Sequence, residues 1–271
     1  MKKINFFIVA FFIGLFISLI QLLPDKNNFS SSLIRKTSLF EQVNAQSYDN
    51  VKLSVKDIIS SDMLDFDNPR RQIFNYISGF NGKTYTIPIK YYIHNKNGYI
   101  DTKLLPSNPD YAYEISSDVE KFIVDTFDQI DSYIDLDFQR VYSPKEATID
   151  IYKTLSKSGN SGYTQWAGFF EPVDYQVEIE WHEVGFVNPK LKNYPTLPFS
   201  YAYYLLHEIG HALGLDHGKE RGNFNENDPN FNIRDDTLMS YNTRGFLSED
   251  IAFTDLDISA LRTLWGFEKN N

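Results

Sequence analysis

The run His207-Glu208-Ile209-Gly210-His211-Ala212-Leu213-Gly214-Leu215-Asp216-His217 reads H-E-x-x-H-x-x-G-x-x-H. It gathers three of the five histidines in the chain into one short window. Residues four apart on an α-helix are separated by about 400° and about 6 Å, so His207 and His211 project from one face, one turn apart. Two imidazoles so placed can approach a single metal ion at about 2.0–2.1 Å from each nitrogen. Glu208 is rotated by about 100° from His207. That offset keeps it off the metal and lets it reach a water held at an open position, where a general base has to be.

A straight helix continued past His211 cannot return a third ligand to the same ion. Gly214 offers the way out: lacking a Cβ, it takes up positive φ after the last turn and reverses the chain, which brings His217 back. Three neutral imidazoles and one open position describe a catalytic zinc site. Structural zinc sites close all four positions, usually with Cys, and this chain has no Cys. A bare H-E-x-x-H arises by chance; the added Gly and third His make accident a poor account of the pattern. The expected metal ligands are therefore His207, His211 and His217, the expected cofactor is Zn2+, and the expected base is Glu208.

Downstream, Asp236-Thr237-Leu238-Met239-Ser240-Tyr241-Asn242 follows the long motif as a Met-turn does, and in this respect the chain resembles the metzincin metallopeptidases. Within them the pattern is most similar to the serralysins, with Tyr two places after Met. Phe127-Asp128-Gln129-Ile130, Leu136-Asp137-Phe138 and Ala147-Thr148-Ile149-Asp150-Ile151 resemble the family's first helix and following strands. Asp255-Leu256-Asp257-Ile258-Ser259-Ala260-Leu261 with Leu264-Trp265-Gly266 resembles its closing helix, so the likeness spans about residues 83–267. The resemblance implies that Met239 is an apolar floor beneath the histidines. It implies that Tyr241 is an extra zinc ligand that swings away to hydrogen-bond the reacting carbonyl. The calcium-binding glycine-rich repeats of serralysins have no counterpart here, so calcium dependence is not carried over. Latency through a cysteine is excluded by the absence of Cys.

Hydrophobic residues make up 42% and aromatic residues 16% of 271 positions, enough for one sizeable core plus appendages. A formal net charge of −10 disfavours nucleic acid as a partner, since such binding needs basic surface. Lys2-Lys3 precedes an apolar run over residues 4–23, longer than the apolar core of a usual secretory signal and about long enough to span a bilayer. No small-x-small cleavage site follows promptly. Residues 1–24 therefore read as a signal peptide or membrane anchor, the uncleaved anchor being favoured. The lysines stay cytoplasmic and the remainder lies outside, secreted or membrane-anchored.

Residues 25–80 are polar and of mixed charge, and read as a linker or pro-segment, the solvated linker being favoured; the resemblance to metzincins implies that a carboxylate here, such as Asp62 or Asp65, could occupy the zinc before activation. Residues 81–271 read as the catalytic domain. Thr84 to Ile93 has the composition of a strand, Ser117 can cap a helix to about Ile134, and Phe138–Tyr142, Thr148–Tyr152 and Val177–Trp181 read as strands. Gly159–Trp166 falls where the family places the strand bordering the cleft; strand and plain glycine-rich loop remain equal readings. His94 and His182 read as surface or cross-strand residues. The loop Asn225–Asp236 reads as solvated, without calcium-ligand spacing. The fold class expected is α+β: a metzincin-like domain with a mixed twisted sheet, two long helices (one carrying the zinc motif) and a C-terminal helix.

The function expected is a zinc-dependent endopeptidase acting on extended polypeptides. The alternative is a membrane-tethered zinc- or peptide-binding module without turnover. No pattern in the chain specifies an oligomeric state.

Overall fold

The computed structural model describes residues 54–100, 110–154, 162–167, 176–181, 190–217, 237–239 and 251–269. The chain divides into two units, Met1–Val51 and Lys52–Asn271, and every described residue belongs to the second. The expected anchor over residues 4–23 lies outside the described residues. Among the described residues no helix is long and apolar enough to cross a membrane.

The architecture is α+β with a small open sheet. Five strands, β1 (Ile89–Ile93), β4 (Phe138–Val141), β5 (Ile149–Lys153), β6 (Gly162–Ala167) and β7 (Gln176–Trp181), form the order β4-β1-β5-β7-β6. β1 runs parallel to β4 and β5, and β5 parallel to β7; β6 is the antiparallel edge, with Thr164 opposite Ile179. Two antiparallel pairs lie apart from this sheet: β2 (Gly98–Ile100) with β3 (Asp110–Ala112), and β8 (Lys190–Leu191) with β9 (Tyr194–Pro198). The helices are α1 (Ser61–Leu64), α2 (Pro69–Ile77), α3 (Ser117–Asp131), α4 (Phe199–Ala212) and α5 (Asp255–Trp265).

Alternation sorts the strands' side chains. Ile89, Tyr91, Ile93, Ile149, Ile151 and Ile179 enter the main core with the buried face of α3. Tyr92 and Tyr152 pack with Ile100 and Ala112 in a small second cluster, as the period of two requires. On α3, Val119, Phe122, Ile123, Phe127 and Ile130 recur at helical spacing and are all buried. Phe127 stacks on Tyr91 with ring centroids 4.1 Å apart, a contact that adds about 0.5–1.5 kcal/mol beyond area burial. The helix is capped by Ser116, whose hydroxyl accepts from the Val119 N–H, one residue before the expected cap Ser117. The first strand is shorter than the composition of Thr84 to Ile93 suggests. Asn81 Oδ1 accepts from the N–H groups of Lys83 and Thr84, and the N–H groups of Thr86 and Ile87 donate to the Ser78 carbonyl, so the chain joins the sheet only at Ile89.

Residues 54–80, within the stretch expected as a linker or pro-segment, are not solvated throughout. Ile58, Ile59, Met63 and Phe74 are buried in the main core. Arg71 is also buried, its guanidinium 4.3 Å from the Trp265 ring centroid and its Nη2 donating to the Leu264 carbonyl at 2.6 Å. The segment contributes apolar surface to the same core as the sheet. Its polar residues lie partly on outward faces, but Arg70, Arg71, Ser60 and Ser78 are buried with it. Asp62 and Asp65, expected as possible metal caps, instead accept from Asn68 Nδ2 and the Asp67 N–H. Neither joins the histidine cluster.

Candidate metal centre

Helix α4 is apolar enough to sit in the core on most of its circumference: Ala202, Leu205, Leu206, Ile209 and Ala212 are all buried. It ends where Gly214 takes φ +96°, and two hydrogen bonds close the end. The Leu215 N–H donates to the Gly210 carbonyl at 2.9 Å and the Gly214 N–H to the His211 carbonyl at 3.1 Å, the paired bonds of a Schellman turn. A side chain at 214 would be strained by the φ and would also meet Met63 and Leu264, so glycine is required twice over. Distant donors also reach the carbonyls of this turn. Arg70 Nη2 reaches the His211 carbonyl at 3.2 Å, Trp265 Nε1 the Leu213 carbonyl at 2.9 Å, and the Ser60 N–H the Gly214 carbonyl at 2.9 Å. Buried carbonyls must be paired in this way.

The reversal brings His217 beside the two helical histidines. Their three Nε2 atoms lie 3.0–3.1 Å from one another, close enough to bind one metal ion. Edges this short match nitrogens at about 2.0–2.1 Å from a shared centre. The other ring nitrogens fit the same use. His207 Nδ1 lies 2.8 Å from the Leu238 carbonyl, and His211 Nδ1 lies 3.0 Å from the Leu215 carbonyl. A carbonyl only accepts, so each Nδ1 carries the proton and each Nε2 keeps its lone pair for a metal. Burial, followed by the neighbouring His211, pushes the His207 imidazole down to about 3; it is neutral, as a ligand must be.

Glu208 is buried on the same helix and is not among the groups of the cluster. Its Oε2 accepts from the Thr164 hydroxyl at 2.5 Å, and the same hydroxyl lies 3.0 Å from the Glu208 carbonyl. Burial pushes its carboxyl up to about 7, against the opposing hydrogen bond from Thr164. A carboxyl so poised can accept and return a proton near neutral pH. Thr164 lies on β6, so the edge strand of the sheet borders Glu208.

Met239 is buried, and its thioether lies against Gly210, between the two helical histidines. A Cβ at Gly210 would come within 2.7 Å of the Met239 Sδ. Gly210→Ala should therefore lower stability despite its gain in helix propensity. Overpacking a closed core costs about 1–3 kcal/mol, more than the roughly 0.5–1 kcal/mol gained by replacing a mid-helix Gly. Thermal unfolding measures the sign, and a raised Tm would show that the sulfur yields freely.

The turn bearing Met239 is held from α5. Asp257 Oδ2 accepts from the N–H of Leu238 at 3.0 Å, and Oδ1 accepts from the Thr237 hydroxyl. Oδ2 also accepts from the Thr254 N–H at 2.9 Å, which closes a capping box at the start of α5. One fully buried carboxylate thus joins the helix start to the turn whose Leu238 carbonyl orients His207.

Of the residues singled out in the sequence, His207, His211 and His217 are brought together, Glu208 and Met239 lie in the same helix and beneath it, and Tyr241 lies outside the described residues. His94 accepts or donates at Nδ1 with the Tyr92 hydroxyl, 3.2 Å away, at the end of β1 and apart from the cluster. His182 and the loop Asn225–Asp236 lie outside the described residues. Sequence reasoning did not single out Thr164, Arg70 or Asp257. Only Asp257 carried a local signal, the T-x-x-D spacing from Thr254; the others act across long sequence separations. No family model matches the chain, and no curated protein matches it.

Proposed function

We propose that this protein is a zinc-dependent endopeptidase with a metzincin-type catalytic domain, serralysin-like in its motif. The observation that carries this reading is the triangle of three Nε2 atoms 3.0–3.1 Å apart with a buried carboxylate beside them that is not one of the three. His207, His211 and His217 would hold the zinc. Bound zinc supplies Lewis acidity, polarising a scissile carbonyl and lowering the pKa of water to near 7. Glu208 takes the proton of the attacking water and returns it to the leaving amine. Thr164 holds that carboxylate in place while the base is unprotonated. Tyr241 donates to the oxygen of the reacting carbonyl as charge develops there. β6 is the edge strand of the sheet among the described residues, and its outer main-chain groups would pair with an extended polypeptide, which gives binding that tolerates many sequences. On the same reading the catalytic unit works outside the cytoplasm, secreted or tethered through residues 4–23.

The test is zinc content together with hydrolysis of a denatured protein by the full chain. One zinc per chain and cleavage are expected. A strong chelator should abolish cleavage, and added zinc should restore it. Cleavage that survives removal of all metal rejects the mechanism, and a zinc-loaded chain that cleaves nothing supports a binding module without turnover.

A further inference from the structure

We propose that residues Ile58–Ser60 position the third metal ligand, so that this segment is a working part of the metal centre rather than a removable leader; the proposal rests on the reading of the three histidines as a zinc site. His207 and His211 are placed by helix α4, but His217 lies beyond it, and the loop from Leu213 to Asp216 decides where its imidazole stands. Beyond its own turn bonds, that loop is held from another segment. The Ser60 N–H donates to the Gly214 carbonyl and the Asp216 N–H donates to the Ile58 carbonyl, each at 2.9 Å, forming an antiparallel bridge between Ile59 and Leu215. The main chain is thereby tied down at the residue immediately before His217.

Packing acts at the same place. Ile58, Ile59 and Met63 are buried, and Met63 fills the space beside Gly214. Arg70, from the helix that follows, donates to the carbonyl of His211 itself. Two of the three ligands therefore depend on residues 58–70 for main-chain partners at or next to their own positions. Groups that orient metal ligands typically change metal affinity by about 10–100-fold when lost. A cut between Ile58 and Arg70 would loosen the site instead of opening it, so any maturation cut compatible with activity falls before Ile58.

Ser60→Pro isolates the bridge. Ser60 has φ −58° and Ile59 has φ −102°, ψ 133°, conformations that proline and the residue before it readily adopt. The substitution breaks the bridge from the Ser60 side, because it removes the donor and sets the ring Cδ against the Gly214 carbonyl that accepted it at 2.9 Å, whereas Ser60→Ala keeps the donor. Zinc affinity of the full chain, read by competition with a chromophoric chelator, should be equal for wild type and S60A and about 10–100-fold weaker for S60P. An S60P affinity within about twofold of S60A overturns the proposal and leaves the zinc site standing; a wild-type chain that binds no zinc overturns both. Hydrogen exchange on the unaltered full chain answers the same question without any variant. Zinc should slow the amides of Ser60 and Asp216 by the same factor, because the bridge opens as a unit. Slowing at Asp216 with none at Ser60 overturns the proposal.

Discussion

Glu208→Gln should reduce peptide hydrolysis by about 10²–10⁴-fold, the usual contribution of a positioned general base, and should leave zinc bound. The amide has the shape of the carboxyl and can still accept from the Thr164 hydroxyl, so the local contact survives. What is lost is the capacity to take a proton. Zinc retention follows because the carboxylate is not part of the histidine cluster. Stability should not fall either. Burial already disfavours the ionised form of Glu208, and a neutral isostere removes that cost. Loss of turnover together with unchanged zinc content and unchanged Tm would therefore mark a chemical defect rather than a folding one. Retained cleavage would remove Glu208 from the role of base.

The second large effect is expected at Asp257. Asp257→Ala should destabilise the protein by about 3–5 kcal/mol, because it leaves the Leu238 N–H, the Thr237 hydroxyl and the Thr254 N–H without their acceptor in the interior. The same change should weaken zinc binding, since the freed turn carries the carbonyl that orients His207. Asp257→Asn should be milder. One oxygen can still serve Leu238 and Thr254, and the new amide can donate to the Thr237 hydroxyl, which also accepts from the Met239 N–H. The two variants also differ from wild type in pH dependence. Burial raises the folded-state pKa of Asp257, the hydrogen bonds opposing it. For a carboxyl raised in the fold, the stabilisation is complete below the unfolded value of about 3.9 and is lost as pH rises through the folded value. Wild type should therefore lose stability relative to D257N over that window. Urea unfolding of metal-free protein across the range measures it, and a constant difference would show that Asp257 does not titrate there.

The ligand set was legible because an eleven-residue motif is local: helical period and one glycine suffice to say that three imidazoles meet. The buried stripe of α3 and the turn at Gly214 were legible for the same reason. The extent of the first strand was not, because the side-chain turn at Asn81 and the bonds of Thr86 and Ile87 to the Ser78 carbonyl engage this stretch before it can join the sheet. The burial of part of residues 54–80, within the stretch read as a linker or pro-segment, was not legible because their apolar residues are few and spread among charges. Burial of Ile58, Met63 and Phe74 depends on α5 and the Gly214 turn, and composition averages do not register a partner that lies far along the chain.

The identity of the histidine triad and its neighbouring carboxylate were thus written into the chain, since the geometry of one helix and one reversal connects them. What holds the triad still was decided only by the tertiary structure. Thr164 beside Glu208, Asp257 beneath Leu238 and Ser60 against Gly214 are each brought in from other elements. The physical reason is that a buried main-chain or carboxyl group must find a partner wherever packing supplies one, and packing is a property of the whole core.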